Sequence, residues 1–298
     1  MTNGFGTGEQ PGGPDRPGPA PLAAGPRDVL AEIVASVRQD LDAAKDRLPR
    51  AYLARLAHER APRGELFASA LARPDRVNVI AECKRRSPSR GTLCQDYRPG
   101  RIARGYQAAG AASVSVLTEA RFFGGEIHHL REVRREVDLP LLRKDFIVDE
   151  YQLLESAATG ADAVLLIAAA VDDRELKDLV RRAGVLGLAA LVEVHDTWDL
   201  ERAIEAGAAI VGVNNRDLRT LAVDVATGAK LIGLVPPGVT AVAESGIDSP
   251  DALARLRACG YGAFLIGSHL MSSADPGLAL GDLLRGLEQP GGSSRGDG

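Results

Sequence analysis

Eight short runs of aliphatic and β-branched residues recur along this chain, and each is followed by a stretch with helical periodicity. The runs are Val77–Glu82, Ser113–Leu117, Leu139–Arg143, Ala163–Ile167, Ala189–Val194, Ile210–Asn214, Thr240–Glu244 and Ala263–Ile266. A parallel strand is covered on both faces, so it reads as a continuous apolar run rather than an alternating one, as VLLIAAAV (164–171) does here. Eight such βα units predict an α/β protein built as a single (β/α)8 TIM barrel. The rival is a doubly wound open sheet, which usually places a Gly-rich dinucleotide fingerprint after an early strand; no GxGxxG follows any run. Ahead of the first run lies a helical extension. Asp28 is placed to cap a helix whose apolar face is Val29, Leu30, Ile33, Val34, Val37 and Leu41, and further helices are predicted over Ala51–Glu59 and Glu65–Leu71.

The pattern assigns residues 27–288 to one domain. Residues 1–26 and 289–298 are dominated by Gly, Pro and Ser, too poor in apolar surface to offset the entropy of ordering, and are expected to be disordered tails. Aromatic residues are only 4% of the chain, so the core must be made of Ala, Val, Leu and Ile. A net charge of −4 argues against a nucleic-acid partner, because duplex binding leans on clustered Lys and Arg that neutralise phosphates. The longest apolar run, Ala163–Val171, is strand-sized and far short of the ~20 residues of a membrane helix. Cys83, Cys94 and Cys259 form no CxxC pair, which argues against a disulfide framework and a structural zinc site. With no secretory signal pattern, the expected location is the reducing cytoplasm. Nothing in the chain indicates an obligate protein partner.

The functional information of a barrel lies at the C-terminal ends of its strands. Side chains alternate along a strand, so residues two apart share a face. Glu82 and Lys84 share the inward face of the first strand, and Lys144 and Phe146 share a face at the end of the third. Glu193 follows Leu191 inward, and Asn214 shares a face with Arg216. One charged rim residue is as readily a structural ion pair as a functional group. Four strands converging on one mouth make the structural reading a poor one. After the seventh and eighth runs come Ser245–Gly246 and Gly267–Ser268, where barrels commonly hold phosphate. Glycine lets the backbone approach the oxygens and serine donates to them. Ser249–Pro250 reads as the cap and first residue of a helix.

The stretches IAECKRRSPSRG (80–91), SVLTEARFFGG (115–125), LLRKDFIVDEYQ (141–152), LVEVHD (191–196), GVNNRDL (212–218), VAESGI (242–247) and LIGSHLM (265–271) resemble the indole-3-glycerol-phosphate synthase family, in order, from about Arg27 to Leu287. The Gly/Pro-rich N-terminal tail is outside that resemblance. The resemblance implies conversion of 1-(2-carboxyphenylamino)-1-deoxyribulose 5-phosphate to indole-3-glycerol phosphate, with loss of carbon dioxide and water and without metal or organic cofactor. It implies Lys144 as general acid at the ribulose carbonyl, Glu193 as the acid/base of the dehydration, and Glu82 and Lys84 as a pair that supports proton transfer and holds substrate charge. Asn214 and Arg216 are implied to bind and orient the substrate, Ser87 to match the serine of the SPS motif, and Phe123 and Phe146 to enclose the anthranilate ring. Glu244, Ser245, Gly246, Gly267 and Ser268 fall in the phosphate-side motifs.

Two rivals share the barrel. A sugar-phosphate isomerase of the phosphoribosylanthranilate isomerase kind would want an inward Cys or Asp at the end of the first strand, whereas Cys83 faces away by parity. A non-catalytic phosphosugar-binding barrel would not need paired acids and bases. Other conspicuous residues read as structural. His195 lies past its strand as a rim hydrogen-bonding group, His128 and His129 as solvated residues, Cys83 as inert packing and Trp198 as structural. The charge run Arg131–Glu136 reads as an exposed helix face.

Overall fold

A computed structural model describes residues 1, 28–88, 90–216 and 225–288. The predicted disordered tails, 1–26 and 289–298, lie outside the described residues apart from Met1. Three helices come first: α1 (Val29–Arg47), α2 (Arg50–Arg60) and α3 (Gly64–Leu71). Asp28 accepts the amide of Ala31 and caps α1 as expected. Eight barrel strands follow: β1 (Asn78–Cys83), β2 (Ser113–Leu117), β3 (Leu141–Lys144), β4 (Ala163–Ile167), β5 (Ala189–Val194), β6 (Ile210–Asn214), β7 (Thr240–Glu244) and β8 (Ala263–Ile266), with a small antiparallel hairpin, Arg86–Ser87 and Gly91–Thr92, after β1. They close a parallel barrel in which β1 pairs with both β2 and β8. The helices between them are α4 (Pro99–Ala108), α5 (Ile127–Glu136), α6 (Glu150–Thr159), α7 (Asp173–Val185), α8 (Thr197–Glu205), α9 (Val225–Leu231) and α10 (Pro250–Ala258); α11 (Ser268–Met271) and α12 (Pro276–Glu288) close the chain. Among the described residues no helix is long and apolar enough to cross a membrane. The first and third strands begin later than predicted. For β3 the cause is Pro140, which has no amide hydrogen to enter the ladder.

Strand parity sorts the interior as the alternation demands. Ile80, Leu142, Leu165, Leu191, Val242 and Leu265 pack inside the barrel. Val79, Val114, Leu141, Val164, Val192 and Phe264 point outward into the layer shared with the helices. Helix α3 closes the bottom of the barrel with Phe67 and Leu71, both inside the inner cluster. Its start demands glycine: a Cβ on Gly64 would sit 2.5 Å from the amide nitrogen of Ala189. Its end is tied by Asn78, whose side-chain amide donates to Leu71 O at 2.9 Å and Gly262 O at 3.0 Å. At the mouth, Leu30 and Ile33 of α1 join the same inner cluster beside Phe146 and Ile167. The N-terminal extension therefore touches both ends of the barrel.

Three readings are corrected. His129 is buried, and its Nδ1 accepts the amide of Glu126 in a capping box at the start of α5, so only His128 is solvated. Arg134, in the supposedly exposed charge run, turns inward to the buried Asp162 at 2.9 Å. Trp198 stands 62% exposed, contributing little packing, while its neighbour Asp196 caps α8.

Candidate active site

The C-terminal ends of the strands surround a cavity of about 420 Å³, within the range of small-molecule sites. Its lining includes Glu82, Lys84, Ser87, Phe123, Lys144, Phe146, Asn214 and Arg216, with Glu244 to Gly246 and Gly267 to Ser268 on one side. Glu193 lies directly beneath, fully buried and touching Lys144. The structure thus gathers every sequence-predicted site residue in or under one mouth.

At its centre is a chain of buried charges. Lys84 Nζ lies 2.5 Å from Glu82 Oε1 and donates to Ser268 Oγ at 3.2 Å. Lys144 Nζ lies 3.4 Å from Glu193 Oε2 and 3.9 Å from Glu244 Oε2. Asn214 donates to Glu193 Oε1 at 2.9 Å, while its own carbonyl accepts the amide of Arg216 at 2.9 Å. Burial alone would discharge these groups. It pushes the Lys144 ammonium down, but Glu193, Glu244 and Glu82 together outweigh that and raise it above the usual lysine range. Burial likewise pushes Glu193 and Glu82 up, and the lysines overcome it, with His195 and Asn214 helping at Glu193; both carboxyls end below the usual range. Glu244 goes the other way: burial and the neighbouring Glu193 lift it well above an ordinary carboxyl, and Lys144 only partly opposes this. The site thus favours charge on Lys144, Glu193 and Glu82 and a proton on Glu244.

Room for those carboxyls comes from glycine. A Cβ on Gly212 would collide with Glu244 Oε1, and one on Gly267 with Glu82 Oε1. Gly267 thus serves the carboxylate as well as the rim turn. Glu244, in the phosphate-side motif after β7, also sits against Lys144 and Glu193. The turn after β7 has an unusual backbone: Ser245 (φ 62°) and Gly246 (φ 76°) are both left-handed, and for serine this is a strained conformation. Asn215 holds it, donating to the carbonyls of Glu244 and Ser245 at 3.1 Å while accepting the amide of Gly228 at 3.0 Å. Ser87 Oγ is buried and makes no hydrogen bond among the described residues, as suits a group awaiting a ligand. Phe123 and Phe146 face each other at 6.1 Å, forming an aromatic wall. Opposite, burial and nearby Arg90 lower Arg216, so two guanidiniums share that part of the mouth.

Residues 30–283 match the family described as indole-3-glycerol phosphate synthase. This chain belongs to that family. It is 50% identical over 251 residues to the indole-3-glycerol phosphate synthase of Nocardioides sp., with 83% of this chain and 95% of that one covered. It is 45% identical to that of Beutenbergia cavernae, covering 88% and 97%, and 47% identical to indole-3-glycerol phosphate synthase 2 of Streptomyces coelicolor, covering 86% and 98%. Among solved structures, thiamine phosphate pyrophosphorylase from Pyrococcus furiosus superposes with a TM-score of 0.54 at 16% identity, covering 71% of this chain and 96% of that one; it shares the fold alone.

For a member of the indole-3-glycerol phosphate synthase family, the residues that sequence reasoning missed are second-rank supports: Asn215, Gly212 and the proximity of His195 Nε2 to Glu193 Oε1, 3.4 Å. Asn215 follows Asn214 in sequence but faces the other way, so parity directed attention past it. Cys83 packs outward against Pro99 O, and burial, with Glu82 nearby, pushes its thiol up, which removes the isomerase-type base. Among the described residues, one group of possible metal ligands lies together, Glu126, His128 and His129, and none of the three lines the cavity.

Proposed function

We propose that this chain closes the indole ring of indole-3-glycerol phosphate from 1-(2-carboxyphenylamino)-1-deoxyribulose 5-phosphate, releasing carbon dioxide and water. The observation that carries the reading is the Lys144 ammonium bracketed by Glu193 and Glu244 at the foot of a cavity that has an aromatic wall and two Ser/Gly turns.

The substrate's phosphate lies against Ser245–Gly246 and Gly267–Ser268, its aromatic ring against Phe123 and Phe146, and its carboxylate toward Arg216, with Ser87 beside it. In the condensation, the ring carbon bearing the carboxylate attacks the ribulose carbonyl. The carbonyl π pair takes a proton from Lys144 and becomes a hydroxyl; a cation held above its ordinary pKa arrives charged for that step. The carbon–carboxylate bond then breaks, and its electron pair restores the aromatic ring as carbon dioxide leaves. In the dehydration the hydroxyl departs as water after protonation, and Glu193 handles the proton transfers. Asn214 fixes Glu193 and, with Arg216, orients the substrate. Glu82 and Lys84 supply charge balance and a proton path that ends at Ser268, joining the phosphate side to the reacting centre. Glu244 holds a proton beside Lys144 and Glu193. The donor set needs no metal or organic cofactor, and three free thiols fit a reducing cytoplasm.

The test is purified protein with this substrate in the presence of chelator, following indole fluorescence and single-turnover carbon dioxide release. Lys144→Ala should slow both signals. Glu193→Gln should cut turnover about 10²–10⁴-fold at near-normal substrate affinity, with carbon dioxide released while indole lags. Strict dependence on a divalent ion overturns the cofactor reading. Carbon dioxide blocked equally in both variants overturns the division of roles.

A further inference from the structure

Two residues beyond β2, Glu119 is buried at 5% exposure, and among the described residues no lysine or arginine pairs with it. Its carboxylate is held by backbone instead. One oxygen accepts the amide of Arg121 at 2.9 Å, and the other accepts those of Phe122 at 2.8 Å and Phe123 at 3.0 Å. Its own carbonyl accepts the amide of Gly125 at 2.7 Å. The loop from 119 to 125 is thus wrapped around a single negative charge, and three successive amides converge on it. Such charge-assisted bonds are about twice as strong as neutral ones.

The outside of the same loop faces the site. Phe123 lines the cavity and meets Phe146, while Phe122 packs against the inner cluster at the mouth that includes Leu30 and Ile33 of α1. Arg86, next to Ser87, donates to Phe122 O at 3.1 Å and also reaches Arg121 O. A loop carrying a specificity-bearing ring needs its backbone fixed, because a displaced ring loses its stacking geometry. Nothing about Glu119 reaches the phosphate turns, which are built by β7 and β8 on other parts of the rim.

We infer that Glu119 is the positioning residue for the aromatic wall, setting affinity for the aromatic half of the substrate separately from the phosphate half. The inference rests on the proposed placement of the anthranilate ring against Phe123. It is tested with Glu119→Gln, which replaces one acceptor oxygen by a donor facing amide donors, and Glu119→Asp, which keeps the charge on a shorter stem. Glu119→Gln should raise KM for substrate and Kd for indole-3-glycerol phosphate at least about tenfold, with a smaller fall in kcat. Inorganic phosphate, which occupies only the phosphate turns, should inhibit parent and variant with the same constant. Glu119→Asp should recover part of the lost affinity, and it carries the test if the Gln variant does not fold. Equal weakening of phosphate and product means a merely structural role and overturns the inference, as does unchanged product affinity in both variants. A parent chain that neither turns over the substrate nor binds the product overturns the reading of the site and this inference with it.

Discussion

The two ends of this barrel both bury charge, and they treat it in opposite ways. At the bottom, Asp162 is fully buried and saturated. Its carboxylate accepts the amides of Arg63 and Leu141 at 3.0 Å, and is surrounded by the guanidiniums of Arg134 at 2.9 Å, Arg63 at 3.4 Å and Arg60 at 3.8 Å. At the mouth, Lys144 stands 3.4 Å from the Glu193 carboxylate and 3.9 Å from the Glu244 carboxyl, Glu244 Oε1 makes no hydrogen bond among the described residues, and Ser245 holds a strained backbone. Saturation is what a clamp requires, because each satisfied lone pair offsets the cost of desolvation. A reacting site must leave some of that capacity for the substrate. The comparison teaches that burial alone does not mark function: a buried charge with its partners incomplete does.

The comparison breaks if the bottom cluster proves dispensable. Asp162→Ala leaves three guanidiniums without their shared anion and frees the start of α3 from the barrel, so it should cost about 3–5 kcal/mol in denaturant unfolding. The fraction that remains folded should turn over normally. Lys144→Ala at the mouth should lose turnover outright while costing less stability than Asp162→Ala, because the buried carboxyls it leaves can take up protons whereas guanidiniums cannot lose theirs. Similar stability losses from the two would erase the distinction.

A smaller effect sharpens the account of the mouth. The Glu244 carboxyl is raised above its reference value of 4.5 by burial and then by Glu193, so the folded chain holds that proton to higher pH than the unfolded chain does. Stability from this group is fully present below the unfolded pKa and declines as pH climbs toward the raised folded value. Glu244→Gln carries no such proton. Between pH 5 and pH 8 its melting temperature should therefore fall less than the parent's, by a few degrees. Parallel melting curves would mean that Glu244 is already ionised at rest.

The smallest effect concerns the extension. Removing residues 1–26, which offer no apolar anchor, should leave melting temperature and turnover nearly unchanged. Continuing the deletion through Val37 removes Leu30 and Ile33 from the cluster at the mouth and should lower activity. A large loss from the short deletion alone would assign the tail a part in the site.

Much of this was legible in one dimension. Period-two alternation placed Glu82, Lys84, Lys144, Glu193 and Asn214 on the inner face before any coordinates, because a strand leaves its side chains no other choice. Capping at Asp28 and Ser249 was equally local: each side chain accepts an amide within the first turn of its own helix. Readings that depended on a distant partner were the ones that failed. His129 looked solvated until the Tyr97 ring, 32 residues back in the chain, met its own ring 5.2 Å away. Arg134 looked like part of an exposed face until Asp162, on the approach to β4, came within reach.

What the sequence by itself determined was the number of βα units, which side chains enter the barrel and which strand ends carry ionisable groups. Each of these follows from local backbone geometry and the cost of burying polar surface. Only the tertiary structure decided how those groups share their charge. Lys144 meets Glu193 and Glu244 from strands far away in the chain, and glycines at 212 and 267 open space for carboxyls carried on neighbouring strands. Electrostatic coupling depends on distance through space and on exclusion of water, and neither is written in the separation of residues along a chain.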